Sequence, residues 1–577
     1  MTASTSAADA AGLRPVGGLS RVKGATDVPL SDLTIPALLA QTASRWPQRP
    51  AVVFREQGVR WSWAEFRAEV DAFAAGLQAL GLRPGDRVGI WSPNRVEWLV
   101  TQFATARLGL VLVNINPAYR LAELEYALQV SGCRAIVTAE RLKTSKYLEM
   151  LARLMPELAS AQPGAVESAR LPQLQFVIRM GRERSPGMLN YDDVLDRGRA
   201  ALDVAALDAV SASLNCHDAI NIQFTSGTTG NPKGATLTHH NVVNNARFIA
   251  QAMNFSERDS LCIPVPLYHC FGMVLSVLAC VSTGATMVFP GEVFDPATAL
   301  AAVAEERCTA LHGVPTMFIA ELDHPRFKEF DLATLRTGIM AGSPCPIETM
   351  KRVISEMHMS EVTIAYGMTE TSPVSFQSSV HDPVQRRVTT VGRIQPHLEA
   401  KVVDAEGRTV PVGQTGELWV KGYSVMKGYW GDEARTREAV VDGWMRTGDL
   451  ATIDAEGYCN IVGRAKDMLI RGGENIYPRE IEEFLFRHPK VQSVQVFGVP
   501  DPKYGEEVCA WIILKPGASC TEDEIREFCR DQIAHYKVPR YIRFVDDMPM
   551  TVTGKVQKFM MRQKMIEELQ LQEAKTA

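Results

Sequence analysis

The stretch Thr225-Ser226-Gly227-Thr228-Thr229-Gly230-Asn231-Pro232-Lys233-Gly234 constrains this chain more than any other. It follows an alternating run, Ile220, Ile222 and Phe224, whose period of two predicts a strand. After it come a short apolar piece, Ala235 to Leu237, and a helical pattern opening near Thr238. A loop built of glycines and hydroxyl residues packs no core. Its glycines reach positive φ and let the backbone approach an anion, whose oxygens a nest of N–H groups can hold. Lys233 adds a mobile positive charge. Taken alone, the run fits a phosphate cradle or a solvated hairpin loop. It departs from the usual P-loop, in which the lysine follows the last glycine and a Ser or Thr follows the lysine. Here Lys233 follows Pro232 and precedes Gly234.

The 577 residues exceed what a single core usually supports, so two or more domains are expected. A net charge of -5 argues against nucleic acid as the main partner, which needs a basic face. The eleven cysteines form no Cys-x-x-Cys pair and no Cys/His cluster at zinc spacing. They read as buried or incidental thiols of a reducing compartment. Residues 1–30 have no apolar signal core and are expected to form a disordered tail. From Leu33 to about Ser211, helical patterns such as Phe66 to Leu82 and Val96 to Leu108 alternate with strand-like ones such as Arg87 to Ile90 and Leu110 to Asn114. That alternation predicts a mostly parallel sheet covered by helices. Residues 140–215 are weakly patterned.

Between Ser260 and Gly291 there is no Asp, Glu, Lys or Arg. Pro264, Pro266, Gly272 and Gly284 interrupt the run, and lipid-exposed backbone at those breaks would lack partners, so a buried core is expected rather than a membrane span. Leu311 to Thr316 and Thr337 to Pro344 are apolar runs ending in small residues, as where a ligand meets the carboxyl ends of strands. In Ala365-Tyr366-Gly367-Met368-Thr369-Glu370-Thr371, Tyr366 can stack on a purine, Thr369 can bond a phosphate and Glu370 can hold a hard cation or cap a turn. One carboxylate beside bound ATP suffices for Mg²⁺, which keeps waters and substrate phosphates as its other ligands. Asp442-Gly443-Trp444-Met445-Arg446-Thr447-Gly448-Asp449 and Gly463-Arg464-Ala465-Lys466-Asp467 offer a carboxylate and a guanidinium that together can grip two ribose hydroxyls. Beyond Arg464 the pattern reads strand, strand, helix, strand, a small α+β unit. The last motif, Thr551-Val552-Thr553-Gly554-Lys555, sets a lysine beside a flexible glycine.

These motifs, in this order across residues 225–558, resemble the adenylate-forming superfamily of acyl-CoA synthetases, luciferases and peptide-synthetase adenylation domains. Gly472-Gly473-Glu474-Asn475 and Asn116-Pro117-Ala118-Tyr119 resemble its medium-chain and fatty-acyl branch, ACSF-type members included. The resemblance implies an α/β fold. A large N-terminal domain of mixed sheets and helices (31–463) would be followed by a hinge (464–466, turning on Lys466) and a small mobile α+β C-terminal domain (467–577). It implies ATP, Mg²⁺ and coenzyme A. The ATP or AMP site would draw on Thr225, Ser226, Gly227, Thr228, Thr229, Gly230, Lys233, Gly342, Ser343, Ala365, Tyr366, Gly367, Met368, Thr369, Asp449, Arg464 and Lys555. Glu370 would hold Mg²⁺, and Lys555, Glu370, Thr225 and His269 would serve catalysis. His269, Phe271, Met273, Val314, Gly338 and Gly342 would border the acyl group, and Gly472, Gly473 and Glu474 the CoA.

By that resemblance the reaction is activation of a carboxylic acid as acyl-AMP with pyrophosphate release, then transfer to CoA. The substrate class is argued from an absence: from Cys270 to Gly291 the chain offers no carboxylate to receive an amino group, so an apolar, fatty acid is expected, with an aryl acid as an alternative. Other readings are an enzyme passing acyl-AMP to a carrier protein, a catalytically dead nucleotide-binding protein, and light emission from an adenylate. The expected partners are small molecules, with no nucleic acid and no membrane span, peripheral association being left open. The expected location is cytoplasmic, and the oligomeric state is not legible.

Overall fold

The structure is a computed structural model that describes residues 12–225, 232–472, 474–530 and 532–571. Two large sheets dominate it. One has eight strands, in the order Leu189–Asn190, Phe176–Arg179, Ala135–Thr138, Arg87–Trp91, Val111–Asn114, Ala219–Thr225, Lys233–Thr238 and Gly428–Tyr429. It is parallel as far as Ala219–Thr225 and antiparallel in its last two pairings. The other has nine strands and runs parallel from Glu361–Gly367 through Thr337–Ala341, Ala310–Gly313, Ser260–Cys262 and Thr286–Phe289 to Pro50–Phe54. Antiparallel strands close both of its edges. The expected class, an α/β body with a separate smaller α+β unit, is the one found.

Helices start where the sequence supplies partners for their free N–H groups. Ser62 and Glu65 form a reciprocal capping box at Trp63–Ala79, and Thr238 and Asn241 do the same at His239–Ala252. The helix Trp63–Ala79 buries Trp63, Phe66 and Phe73 completely and shares one apolar cluster with Trp91, Trp98 and Phe103. The charge-free stretch is interior, as expected: Ser260–Cys262 and Thr286–Phe289 are adjacent parallel strands, and every residue of the π-helical turn Phe271–Leu278 is buried. Among the described residues, no helix is long and apolar enough to cross a membrane.

A third, six-stranded antiparallel sheet carries Leu398–Val403, Gly416–Gly422, Trp444–Ile453 and Cys459–Arg464. It corrects the expected tail at residues 21–24, residues 1–11 lying outside the described ones. Arg21–Lys23 pairs with Leu398–Val403, Val22 is buried, and a Cβ on Gly24 would lie 2.0 Å from the Gln395 carbonyl oxygen. A strand with one buried residue leaves no periodicity to read. After Arg464 comes a single 3-10 turn, Ala465–Asp467, and then a five-stranded sheet built on Val491–Asp501 and Gly505–Leu514. This last sheet has its own apolar clusters, drawn from Leu469 onward.

Candidate active site

Four elements from distant parts of the chain meet at the carboxyl ends of the large parallel strands. Glu361–Gly367 delivers Tyr366, whose hydroxyl donates to Asp449 Oδ2 at 2.6 Å. Asp449 lies directly across from Arg464 in the Trp444–Ile453/Cys459–Arg464 ladder, and Arg464 Nε donates to its other oxygen at 3.2 Å. Asp449 is buried while Arg464 is exposed, so a carboxylate and a guanidinium stand side by side at the surface of a cleft. Thr447 braces the group by accepting the Asp449 N–H at 3.1 Å. Burial, and then the Asp449 charge, push the Tyr366 phenol well above its ordinary pKa, so it remains a donor.

Glu370 is buried on the short turn Thr369–Thr371 that follows. Its Oε1 accepts from the Tyr429 hydroxyl at 2.9 Å, and its carbonyl accepts from the Met426 N–H at 2.9 Å. The ammonium of Lys233 lies 5.1 Å from the centre of the Tyr429 ring. Lys233 pairs with Thr225 at the loop end of the hairpin formed by Ala219–Thr225 and Lys233–Thr238. Ser226, Gly227, Thr228, Thr229 and Gly230, the heart of the expected phosphate cradle, lie outside the described residues.

Lys555 stands on the loop before the last helix. Its Cε would lie 3.6 Å from a Cβ built on Gly342, which has φ +92°. The preceding Gly554, at φ +76°, sits against Val314, and its carbonyl accepts from Thr316 Oγ1 at 3.2 Å. Burial and then Arg464 lower the Lys555 pKa, while Asp449, Cys270 and Glu370 act to raise it. One lysine therefore feels the ribose-type pair, the Glu370 carboxylate and the apolar segment at once.

That segment follows Pro266. His269 Nδ1 accepts from the Phe271 N–H at 3.1 Å, and burial followed by Lys555 drive its pKa down to about 3, so the ring is neutral. Cys270 donates to Gln223 Oε1 at 2.9 Å, and Gln223 Nε2 donates to the Met273 sulfur at 3.6 Å. The Phe271 and His312 rings are 5.5 Å apart. The segment thus sets buried apolar side chains and a neutral imidazole, with no carboxylate of its own, beside the lysine.

Comparison with known proteins fits this geometry. The family model described as AMP-binding enzyme matches residues 39–430, and that of the AMP-binding enzyme C-terminal domain matches residues 480–555. The chain belongs to the AMP-binding enzyme family. It is 52% identical over 540 residues to the putative acyl-CoA synthetase YngI of Bacillus subtilis (strain 168), covering 93% of this chain and 98% of that protein. It is 47% identical to the mitochondrial medium-chain acyl-CoA ligase ACSF2 of Rattus norvegicus, covering 96% and 91%. Among solved structures, the anthranilate CoA ligase AuaEII in complex with anthranoyl-AMP superposes with a TM-score of 0.84 at 26% identity, covering 95% and 99%.

Within this AMP-binding enzyme, contacts and charges link Lys233, Gly342, Tyr366, Thr369, Glu370, Asp449, Arg464, His269, Val314 and Lys555 into one cluster. Ser343, Ala365, Gly367 and Met368 lie in the same two strand-to-loop segments. Gly338 is different: a Cβ there would stand 1.9 Å from the Leu311 carbonyl oxygen and 2.7 Å from Met359 Cε. The space that glycine leaves is taken by the neighbouring strand and a core methionine, not by a ligand. Gly472, at φ +59°, donates its N–H to the Tyr504 carbonyl, and Glu474 pairs with Arg471, so both are placed on the small sheet. Gly473 lies outside the described residues. Lys466 occupies the 3-10 turn between the six-stranded and five-stranded sheets. Sequence reading missed Tyr429, Thr447 and Gln223, each a hydrogen-bond partner of a site residue. Of these, Thr447 lies within the Asp442–Asp449 motif, so its closeness to Asp449 was the one available signal.

Proposed function

We propose that this chain is an ATP-dependent acid–CoA ligase that activates an apolar, medium-chain fatty acid as acyl-AMP and transfers the acyl group to CoA. The observation that carries the reading is the convergence of Lys555 on the cleft that holds Asp449, Arg464 and Glu370. In the first half-reaction the acid's carboxylate attacks the α-phosphorus of ATP and pyrophosphate leaves. No enzyme nucleophile is needed, so catalysis rests on positioning and charge stabilisation. Asp449 and Arg464 would hold the ribose, Lys233 and the loop before it the outgoing phosphates, and Lys555 the negative charge spread between carboxylate and α-phosphate. Neutral His269 and the buried segment after it would border the acyl group without stranding a charge there.

The donor set also fits Mg²⁺. Glu370 is a single buried carboxylate with Oε1 engaged by Tyr429, and its Oε2 would meet a cation whose remaining ligands are water and phosphate. Bound with ATP, the cation would neutralise developing phosphate charge, while Glu370 fixes where it sits. In the second half-reaction the CoA thiol attacks the acyl carbonyl and AMP leaves. We propose that a turn about Lys466 withdraws Lys555 and brings Gly472 to Glu474 to the CoA. The relatives' names, a putative acyl-CoA synthetase and a medium-chain acyl-CoA ligase, support CoA over a carrier protein and an alkyl over an aryl acid. Eleven free cysteines support a reducing location, for which we propose the cytoplasm.

The test is pyrophosphate release from Mg·ATP with linear acids from acetate to palmitate plus benzoate, with and without CoA, with thioesters identified by mass. Release peaking at an intermediate chain length with matching CoA thioester is expected. Release without thioester would move the chain to the carrier-protein reading, and a benzoate optimum to the aryl one.

A further inference from the structure

Tyr429 lies 59 residues from Glu370 in sequence yet touches two of the charges that handle the nucleotide. Its strand, Gly428–Tyr429, pairs with Lys233–Thr238 so that Tyr429 stands opposite Ala235, two residues from Lys233. The segment is tied at both ends by its backbone. The Met426 N–H donates to the Glu370 carbonyl, the Lys427 N–H to the Thr236 carbonyl at 2.9 Å, and the Trp430 N–H to the Gly234 carbonyl at 2.8 Å. The Tyr429 N–H donates to Thr436 Oγ1 at 2.9 Å, and Gly428 takes φ +150° with Thr436 packed where a Cβ would point. The strand is thus a rigid strut between the turn bearing Glu370 and the hairpin bearing Lys233. Its side chain does the same at the level of charge. The hydroxyl donates to Glu370 Oε1, and the ring face lies under the Lys233 ammonium.

A carboxylate only accepts, so the Tyr429 hydroxyl must be the donor. We propose that Tyr429 is a positioning residue for Mg·ATP: its hydroxyl orients the Glu370 carboxylate toward the cation and its ring holds Lys233 toward the phosphates. This rests on the function proposed above. The two contacts use different parts of one side chain, so they separate by substitution. Tyr429→Phe removes the hydroxyl and keeps the ring; Tyr429→Leu removes both. Partners in the outer shell of a cation site typically change affinity about 10–100-fold. A ring–ammonium contact of this kind is worth about 2- to 5-fold.

The experiment titrates ATP binding by calorimetry with and without Mg²⁺, and measures Mn²⁺ binding to the enzyme–ATP complex by water-proton relaxation, in wild type, Tyr429→Phe, Tyr429→Leu, Glu370→Gln and the double variant Tyr429→Phe/Glu370→Gln. Tyr429→Phe should weaken Mn²⁺ binding and Mg·ATP binding about 10-fold or more while sparing metal-free ATP. Tyr429→Leu should in addition weaken metal-free ATP about 2- to 5-fold. In the Glu370→Gln background, Tyr429→Phe should have no further effect on the metal. Unchanged metal binding in Tyr429→Phe, or equal loss with and without metal, would overturn the proposal, as would an additive effect in the double variant. Wild-type pyrophosphate release in the same preparations separates the two readings. Release with normal metal binding in Tyr429→Phe sinks only the Tyr429 role, and no release with any acid sinks the ligase assignment along with it.

Discussion

Glu370 and Lys555 bring opposite charges to one cleft and are held there in opposite ways. Glu370 sits on a turn between packed strands, bonded through its carboxylate to Tyr429 and through its carbonyl to Met426. Lys555 stands on a loop that meets the large body through a Thr316–Gly554 hydrogen bond, the packing of Gly554 and Gly342 around Val314, and Val552 beside Pro266 and Tyr268. Its nearest backbone partner is local: Thr551 accepts the Lys555 N–H through its hydroxyl and donates its own N–H to the Lys555 carbonyl. The first charge is built in, and the second is delivered. The proposed reaction in two halves would use that difference, a fixed carboxylate serving both halves and a lysine serving the first.

The largest break in this comparison comes from removing the delivered charge. Lys555→Ala should lower adenylate formation about 10²–10³-fold, the usual loss for one donor of transition-state charge. Supplied acyl-adenylate should still turn over with CoA at the wild-type rate. Pyrophosphate release and thioester formation from synthetic adenylate, measured separately, check this, and equal loss in both would show that Lys555 is not a removable group. Next in size is the pivot. Lys466→Pro fixes φ in the turn between the two sheets, and should slow thioester formation about 100-fold while pyrophosphate release persists.

A smaller effect tests the contact by which Lys555 is delivered. Gly554 has φ +76°, and a Cβ there would come within 2.9 Å of Val314 Cγ2 and 3.0 Å of Thr316 Oγ1. Left-handed backbone costs a residue with a Cβ about 1–2 kcal/mol, so Gly554→Ala should favour the withdrawn loop about 10-fold. Adenylation should fall by that factor with the CoA step untouched. Val314→Ala in the same background removes one of the two clashes and should restore part of the loss. An adenylation rate in Gly554→Ala equal to wild type would mean that the loop's seat on Val314 does not matter.

The same contrast explains what could be read in advance. Thr369, Glu370, Asp449, Arg464 and Lys555 stood out because each lies in a short run whose residue types match one chemistry. Tyr429 did not, because its meaning lies in partners 59 and 196 residues away, and a tyrosine ending a short strand looks like core. Gln223 hid for a related reason: the alternation Ile220, Ile222, Phe224 was legible, but not that the other face of the strand, with Asn221 and Gln223, is buried as well. Between 140 and 215 the strand Phe176–Arg179 is buried on both faces and so shows no alternation, which is why a real strand of the eight-stranded sheet left no signal. Gly338 misled in the other direction, since a small residue at a strand end can make room for a neighbouring strand as readily as for a ligand.

The finest measurement uses Cys270, which feels both charges. Its thiol is pushed up to about 12, chiefly by burial; a hydrogen bond with Thr369 works against the rise, Glu370 adds to it, and the Lys555 charge and Gln223 lower it. Only the thiolate is nucleophilic, so the raised pKa keeps the thiol protonated and unreactive at neutral pH. That state would suit a thiol beside the proposed acyl-adenylate. Taking away the negative charge in Glu370→Gln should lower the Cys270 pKa, and taking away the positive charge in Lys555→Ala should raise it. The pH dependence of Cys270 alkylation by iodoacetamide, followed by peptide mass in native protein, reads both shifts as opposite displacements of one curve. If Lys555 spends most of its time withdrawn in the free enzyme, Lys555→Ala will leave the curve in place while Glu370→Gln still moves it. Saturating ATP and acid should then be needed before the lysine variant shows its shift, which would turn the built-in and delivered charges from a structural contrast into a measured one.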